Sequence, residues 1–244
     1  MVFNAETSGQ VDALRDVDVT VDPGEFVSLI GPSGCGKSTL LRLIANLIEP
    51  TSGLVEVNGK SAKQACADQD YGMAFQQSGL FDWRSVAKNI ELPLELKGWD
   101  KAKRAARSQE MLDLVKLPDR GAHMPWQLSG GQQQRILLMD EPFGALDEMT
   151  REHMQAELLQ ICEVTNTTVV FVTHSIPEAV YLSDRVVVMS AGPGRITDVI
   201  DVGLGKNRDE GTRENDSFYK KITEVREALR GAELGDGARG IEDR

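Results

Sequence analysis

No apolar run in this chain approaches the roughly 20 residues needed to cross a bilayer. A membrane role is therefore expected only from the cytoplasmic side, docked on another protein. Basic charge is also short. The chain carries 27 Lys and Arg against 38 Asp and Glu, a formal net charge of −11, and so lacks the cationic surplus that binding a nucleic-acid backbone requires. A small phosphate ligand is not excluded, because one nest of N–H groups with a lysine can hold phosphates inside an acidic protein. Cysteine is confined to Cys35, Cys66 and Cys162, too few and too scattered for a disulfide framework, which points to a reducing compartment. The opening MVFNAETSGQ lacks the charged-then-apolar pattern of a secretory leader, and no internal repeat is present.

With 244 residues, 41% of them hydrophobic, the chain can enclose one large α/β core or two small ones. Val17, Val19 and Val21 alternate and predict a strand. Asp22-Pro23-Gly24 then turns the chain into a second strand over 26–30. A glycine-rich loop and an apolar helix through Leu40, Leu41, Leu43 and Ile44 follow. Residues 54–57 with Asn58-Gly59 predict a short strand and turn. Residues 85–127 read as helical, with 102–117 rich in helix formers. Residues 136–139, an apolar run ending in acid, suit a buried parallel strand. A helix over 148–163, a β-branched strand over 168–173 and closing strands over 186–189 and 196–202 complete the pattern. Strands alternating with helices imply a mostly parallel α/β sheet, and the helical middle reads as an insertion. After Gly203 the composition turns to Gly and charge. One amphipathic helix is expected there, with Phe218, Ile222, Val225 and Leu229 on one face, and disorder after Gly231.

Gly31-Pro32-Ser33-Gly34-Cys35-Gly36-Lys37-Ser38-Thr39 fits G-x-x-x-x-G-K-[ST] directly after an apolar strand and before a helix, the context that makes the match informative. Gly34 and Gly36 let successive N–H groups face a phosphate without a Cβ in the way. Lys37 can reach the β- and γ-phosphates and Ser38 can ligate Mg²⁺, with the helix N-terminus adding a favourable field. The alternative, a glycine-rich turn without a ligand, explains neither the lysine nor the flanking elements. Cys35 reads as a small side chain that fits the loop rather than a nucleophile. Downstream, Ile136-Leu137-Leu138-Met139-Asp140-Glu141 has the form of a Walker B strand, with Asp140 in the shell of Mg²⁺ and Glu141 polarising the attacking water. Leu128-Ser129-Gly130-Gly131-Gln132-Gln133-Gln134-Arg135 contains LSGGQ. Ser129 there can cap a helix, but a cap does not explain the paired glycines.

Together the phosphate loop and LSGGQ resemble the ATP-binding subunits of ABC transporters, over nearly the whole span 3–202. The resemblance implies an α/β fold: a P-loop NTPase cassette with a mostly parallel central sheet, an N-terminal antiparallel β subdomain and an inserted helical subdomain. It implies one cassette over 1–203, with the insertion at about 78–135, and a charged tail over 204–244 with one short helix. ATP and Mg²⁺ are the implied ligands. The implied assembly is a head-to-tail homodimer in which Ser129, Gly130, Gly131 and Gln132 of one subunit close over ATP held by the other. Gln76 resembles the glutamine that senses Mg²⁺ and water. His174 resembles the switch histidine at the γ-phosphate, Gly144-Ala145-Leu146-Asp147 the loop along the dimer interface, and Phe3 the aromatic stacked on adenine. His123 and His153 match no such role and read as surface or capping residues.

A finer resemblance rests on residues 81–96, 140–152 and 173–196. They are similar to importers of nitrate, sulfonates, taurine and aminopyrimidine vitamin precursors. That branch implies two membrane permease subunits, an extracytoplasmic solute-binding protein acting indirectly, and a place on the cytoplasmic face of the membrane. Residues 81–87 would help receive the permease. Soluble relatives acting on DNA or ribosomes pair two cassettes or carry a long coiled coil, and neither is present. A P-loop kinase has no use for LSGGQ.

The chain departs from the family pattern twice. The family begins with a strand before the adenine aromatic, whereas Met1 stands almost at Phe3. The signature also runs almost directly into Walker B. Only Gln132, Gln133, Gln134 and Arg135 separate Gly131 from Ile136, and four residues span at most about 14 Å extended or about 6 Å as helix. Roughly a dozen residues, about three helical turns, are therefore missing relative to the family. Hydrolysis is the function this departure bears on most directly.

Overall fold

The computed structural model describes residues 2–3, 11–74, 84–114, 118–122, 136–144 and 146–238. Its contacts divide the chain into two compact units, one formed by Met1–Gln76 with Arg135–Arg244 and the other by Gln77–Gln134.

In the first unit the strands are β1 (Val2–Phe3), β2 (Val11–Asp12), β3 (Phe26–Ile30), β4 (Glu56–Val57), β5 (Lys60–Ser61) and β6 (Tyr71–Ala74). They continue as β7 (Ile136–Asp140), β8 (Thr168–Val172), β9 (Arg185–Met189) and β10 (Ile196–Asp201). Six of them form the central sheet in the order β10-β9-β3-β8-β7-β6. The pairs from β9 to β6 are parallel, and β10 lies antiparallel on β9. Parallel strands covered on both faces should be continuously apolar, and β3 (FVSLI) and β8 (TVVFV) are buried at every position. The side-chain alternation of a strand then sorts them. Phe26, Ile30, Phe171, Val186 and Val188 enter one core. Val27, Leu29, Val170, Val172, Val187 and Met189 enter the other.

The helices of this unit cover both faces. The second core holds α1 (Lys37–Ile44) through Leu40, Leu41 and Leu43, and α2 (Ala62–Ala67) follows β5. The first core holds α5 (Glu148–Thr165), α6 (Ile176–Leu182) and α7 (Asp216–Ala238). Asp147 caps α5 by accepting the Thr150 N–H at 3.0 Å, and Asn166, in the left-handed conformation at φ 49°, ends it. The expected turn at Asn58-Gly59 joins β4 to β5 with both φ values positive, 54° and 70°, the geometry of a type I′ hairpin.

The second unit packs α3 (Val86–Leu96) against α4 (Lys101–Leu114). Ser85 caps α3, Val86, Leu94 and Leu112 are buried, and Ser108 bonds the Ala87 carbonyl at 3.3 Å.

Three expectations meet a different outcome. Val17, Val19 and Val21 form no strand; they pack against the second core as partly buried side chains. Their alternation reports burial of one side, not a hydrogen-bonded ladder. The C-terminal helix is neither confined to 218–229 nor followed by disorder at Gly231. It spans 23 residues to Ala238, with Phe218, Ile222, Val225 and Ala232 buried in the first core. Apolar burial from Phe218 to Ala232, about four turns, offsets the poor propensity of the glycines at 231, 235 and 237. Two elements, α2 and β6, carry too few residues for periodicity to reveal.

One ion pair ties the start of β3 to β9. Arg185 donates to Glu25 through Nε and, at 2.7 Å, through Nη2, while the Asp22 N–H donates to the same carboxylate at 2.8 Å. Burial pushes the Glu25 carboxyl up, but these hydrogen bonds outweigh burial and hold it below the ordinary glutamate range. A depressed carboxylate stabilises the fold above its unfolded pKa, and that contribution is lost as pH falls through the folded value. Glu25→Gln should cost about 2 kcal/mol at pH 7. The difference from the parent should shrink as pH falls below the ordinary glutamate value of about 4.3, and be gone only once Glu25 is protonated in the folded chain. Urea midpoints from pH 7 downward measure this, and a pH-independent difference would refute the charge assignment.

Candidate nucleotide site

The phosphate loop leaves β3 after Ile30 and enters α1 at Lys37. Gly34 and Gly36 have φ values of 77° and 98°, a region that side chains other than glycine rarely occupy. Gly36 occupies the N-cap position of α1 without a side-chain cap, leaving the amide end of the helix to an anion. Lys37 is buried, and its ammonium donates to the Gly31 and Pro32 carbonyls at 2.7 and 3.0 Å. It also lies 3.6 Å from Cys35 Sγ. Cys35 is fully buried in the second core, in keeping with a packing role.

Across the sheet, β7 delivers Asp140 at its carboxyl end. Ser38 Oγ donates to Asp140 Oδ1 at 3.0 Å, although 102 positions separate them. Two converging hard oxygens suit Mg²⁺, which takes one or two protein oxygens and completes its octahedron with phosphate and water. The residues therefore fit the ion. Glu141 follows with φ 48°, its N–H bonded to the Val172 carbonyl at 3.0 Å. That link spans β7 and β8, so the carboxylate meets a residue two positions past the end of β8. His174 Nδ1 lies 3.2 Å from Glu141 Oε2. The Arg151 guanidinium donates to the Leu146 carbonyl at 2.7 Å and to the Phe143 carbonyl at 3.4 Å. Lys37, Ser38, Asp140, Glu141 and His174 thus gather at the carboxyl edge of the parallel strands, where α/β sheets bind ligands.

Several expected positions lie outside the described residues: Gln76, Ala145 and the signature residues Ser129, Gly130, Gly131 and Gln132. For Phe3 only the backbone is described, in β1 paired with Val11 of β2.

Sequence reasoning missed the support behind the loop. A Cβ on Gly194 would lie 1.9 Å from the Cys35 carbonyl oxygen, and one on Gly36 would lie 2.6 Å from Leu14 Cδ2. The Gly194 N–H donates to the Ala13 carbonyl at 2.9 Å, and its own carbonyl accepts the Arg15 N–H at 3.0 Å. The turn after β9 is therefore pressed against the back of the phosphate loop. Gly192-Pro193-Gly194 in the sequence announces a turn but not what the turn touches. Gly194→Ala must displace phosphate-loop backbone, an overpacking cost of about 1–3 kcal/mol. ATP affinity should fall by about tenfold or more. Gly192→Ala, with open space around its Cβ, should bind as the parent does. Nucleotide titration checks both, and equal affinities would show that the contact does not shape the loop.

A model of the ABC transporter family matches residues 14–150. The chain belongs to the ABC transporter family. It is 46% identical to an uncharacterised ABC transporter ATP-binding protein of Methanocaldococcus jannaschii, covering 88% of this chain and 85% of that one. The taurine import ATP-binding protein TauB of Pelagibacter ubique is 42% identical, with 80% and 78% covered. The nitrate import ATP-binding protein NrtD of Synechocystis is 39% identical, with 92% and 91% covered. Among solved structures, the ATP-binding cassette MJ0796, a dimer in a post-hydrolysis state bound to ADP and Pi, superposes with a TM-score of 0.68 at 30% identity. That match covers 82% of this chain and 95% of the cassette. The fold is that of the ABC ATPase cassettes: a mostly parallel sheet with antiparallel additions and helices on both faces. As a family member the chain is an ATP-binding subunit, and no described helix is long and apolar enough to cross a membrane.

Two of these matches leave positions of the alignment unfilled by this chain. The archaeal alignment runs over 228 positions yet takes up 88% of 244 residues, about 215. The taurine alignment runs over 208 positions and takes up 80%, about 195. In each, about 13 positions of the alignment have no residue in this chain.

Proposed function

We propose that this chain is the ATP-hydrolysing subunit of an importer for a small solute of the nitrate, sulfonate, taurine or pyrimidine-precursor type. The observation that carries this reading is the meeting of Lys37, Ser38, Asp140, Glu141 and His174 at one sheet edge, in a chain about 40% identical to taurine and nitrate import proteins. Residues 31–39 cradle the phosphates, with Lys37 on the β- and γ-phosphates. Ser38, Asp140 and Gln76 hold Mg²⁺, which when bound neutralises charge developing on the phosphates. Glu141 polarises the attacking water, His174 contacts the γ-phosphate, and Phe3 stacks on adenine. Ser129, Gly130, Gly131 and Gln132 close over the ATP of a second copy, so the working unit is a head-to-tail homodimer. Two permease subunits receive the motion at the cytoplasmic face of the membrane, and an extracytoplasmic binding protein supplies the solute indirectly. Residues 1–203 act as the cassette, 78–135 as its inserted helical subdomain and 204–244 as the tail.

Reconstitution with the permease subunits and the binding protein in vesicles tests this reading. ATP turnover should rise when the solute is added. Turnover blind to every solute of the class removes the importer reading.

A second reading, nucleotide binding without hydrolysis, is favoured by the short passage from signature to Walker B, in which only Gln132, Gln133, Gln134 and Arg135 separate Gly131 from Ile136. About three helical turns are lost where the signature should open a helix, which would draw Ser129 and Gly131 away from the opposite phosphate. ATP bound with normal affinity but not turned over in the assembled complex selects this reading.

A further inference from the structure

The loop carrying His174 is anchored by side chains that the nucleotide site does not use. Thr173, 1% exposed, donates through Oγ1 to Glu178 Oε2 and accepts the Ser175 N–H at 2.9 Å. The same hydroxyl thus brackets His174 on both sides. Glu178, 7% exposed, receives Gln155 Nε2 on its other oxygen at 2.7 Å. Gln155, 2% exposed, accepts Arg213 Nη2 at 2.6 Å through its own amide oxygen. The Arg213 guanidinium lies 3.6 Å over the Tyr181 ring and 3.8 Å from Glu152. Arg213 belongs to the 3₁₀ turn Glu210–Glu214 that leads into α7.

The direction of this chain is set by chemistry. A carboxylate only accepts and a guanidinium only donates, so the Gln155 amide can satisfy both in one orientation alone. Such a network is rigid while every member is paired, and loses more than one bond when an end is removed. Without Arg213 the buried amide oxygen has no donor from this chain. Rotating the amide to relieve that removes the donor to Glu178, and the Thr173 hydroxyl is then held less tightly.

We propose that the C-terminal segment fixes the His174 loop through a buried relay of Arg213, Gln155 and Glu178, making these three positioning residues for ATP turnover. The relay itself stands on geometry; its bearing on turnover rests on the role given to His174. It also gives the tail a function within its own subunit: α7 and the turn before it clamp α5 and α6.

The test compares the full chain with Arg213→Met, Gln155→Met and Arg213→Lys, reading amide hydrogen exchange by mass spectrometry alongside ATP turnover in the complex with its permease. Exchange at Ser175 and Glu178 should quicken about tenfold in the two Met variants, as expected for losing a bond to a charged group. Residues 31–39 should exchange as in the parent. The turnover number should fall by about threefold or more with KM for ATP unchanged. Arg213→Lys, which restores a charged donor, should recover part of both. The double Met variant should be no worse than either single, since both break one path. Faster exchange confined to 208–238, with 173–178 unchanged, overturns the relay. Faster exchange at 173–178 with unaltered turnover keeps the contact and removes its role in the reaction. A parent that does not hydrolyse ATP defeats the hydrolysis reading, yet leaves the exchange comparison to decide the relay.

Discussion

Glu141→Gln should leave ATP bound and reduce turnover by at least about a hundredfold, the scale of a lost general base. The substitution keeps the length and the hydrogen-bonding reach of the side chain. It removes the one property that water activation requires, an oxygen able to take a proton. The backbone at 141 sits at φ 48° and is held by the Val172 carbonyl at 3.0 Å, so the amide would occupy the place of the carboxylate. Its oxygen or nitrogen could still face His174, 3.2 Å from the present Oε2. Nucleotide affinity should therefore remain within about twofold, because the substitution alters the transition state rather than ground-state binding. Turnover and nucleotide titration on the same preparation separate the two effects. Unchanged turnover would sink the role given to Glu141. A hundredfold loss of affinity instead would make it a binding residue.

Lys37→Met should do the reverse and weaken ATP binding by about a hundredfold. The ammonium is buried at the mouth of the loop, donating to the Gly31 and Pro32 carbonyls. A phosphate entering the loop takes over those donors and gains charge-assisted bonds, each of about 1.5–3 kcal/mol. Methionine fills a similar volume without any donor, so packing beside Cys35 is retained. A competition titration with a fluorescent nucleotide measures the loss. Affinity within twofold of the parent would mean that the loop amides alone hold the phosphates.

Much of this was legible beforehand because it is local. Short apolar runs marked β3, β7 and β8, and glycines at fixed offsets marked a loop that needs positive φ at 34 and 36. Val17, Val19 and Val21 misled because alternation records which side is buried, and burial does not require a partner strand. The helix beyond Gly231 was missed because glycines and charge lower local propensity, whereas Phe218, Ile222, Val225 and Ala232 draw their stability from the core they enter. Gly194 was missed because what matters is the Cys35 carbonyl behind it, a neighbour 159 positions away.

The sequence by itself determined the family, the phosphate loop, the acidic strand end and the short passage from signature to Walker B, since each is a matter of residue type and spacing along the chain. Only the tertiary structure decided the strand order that sets Ser38 beside Asp140 and Glu141 beside His174. It also decided the buttress under the loop and the relay from Arg213 to Thr173. Those contacts join residues far apart in the chain, and they form only because packing two apolar cores against one twisted sheet brings its strand ends to a common edge.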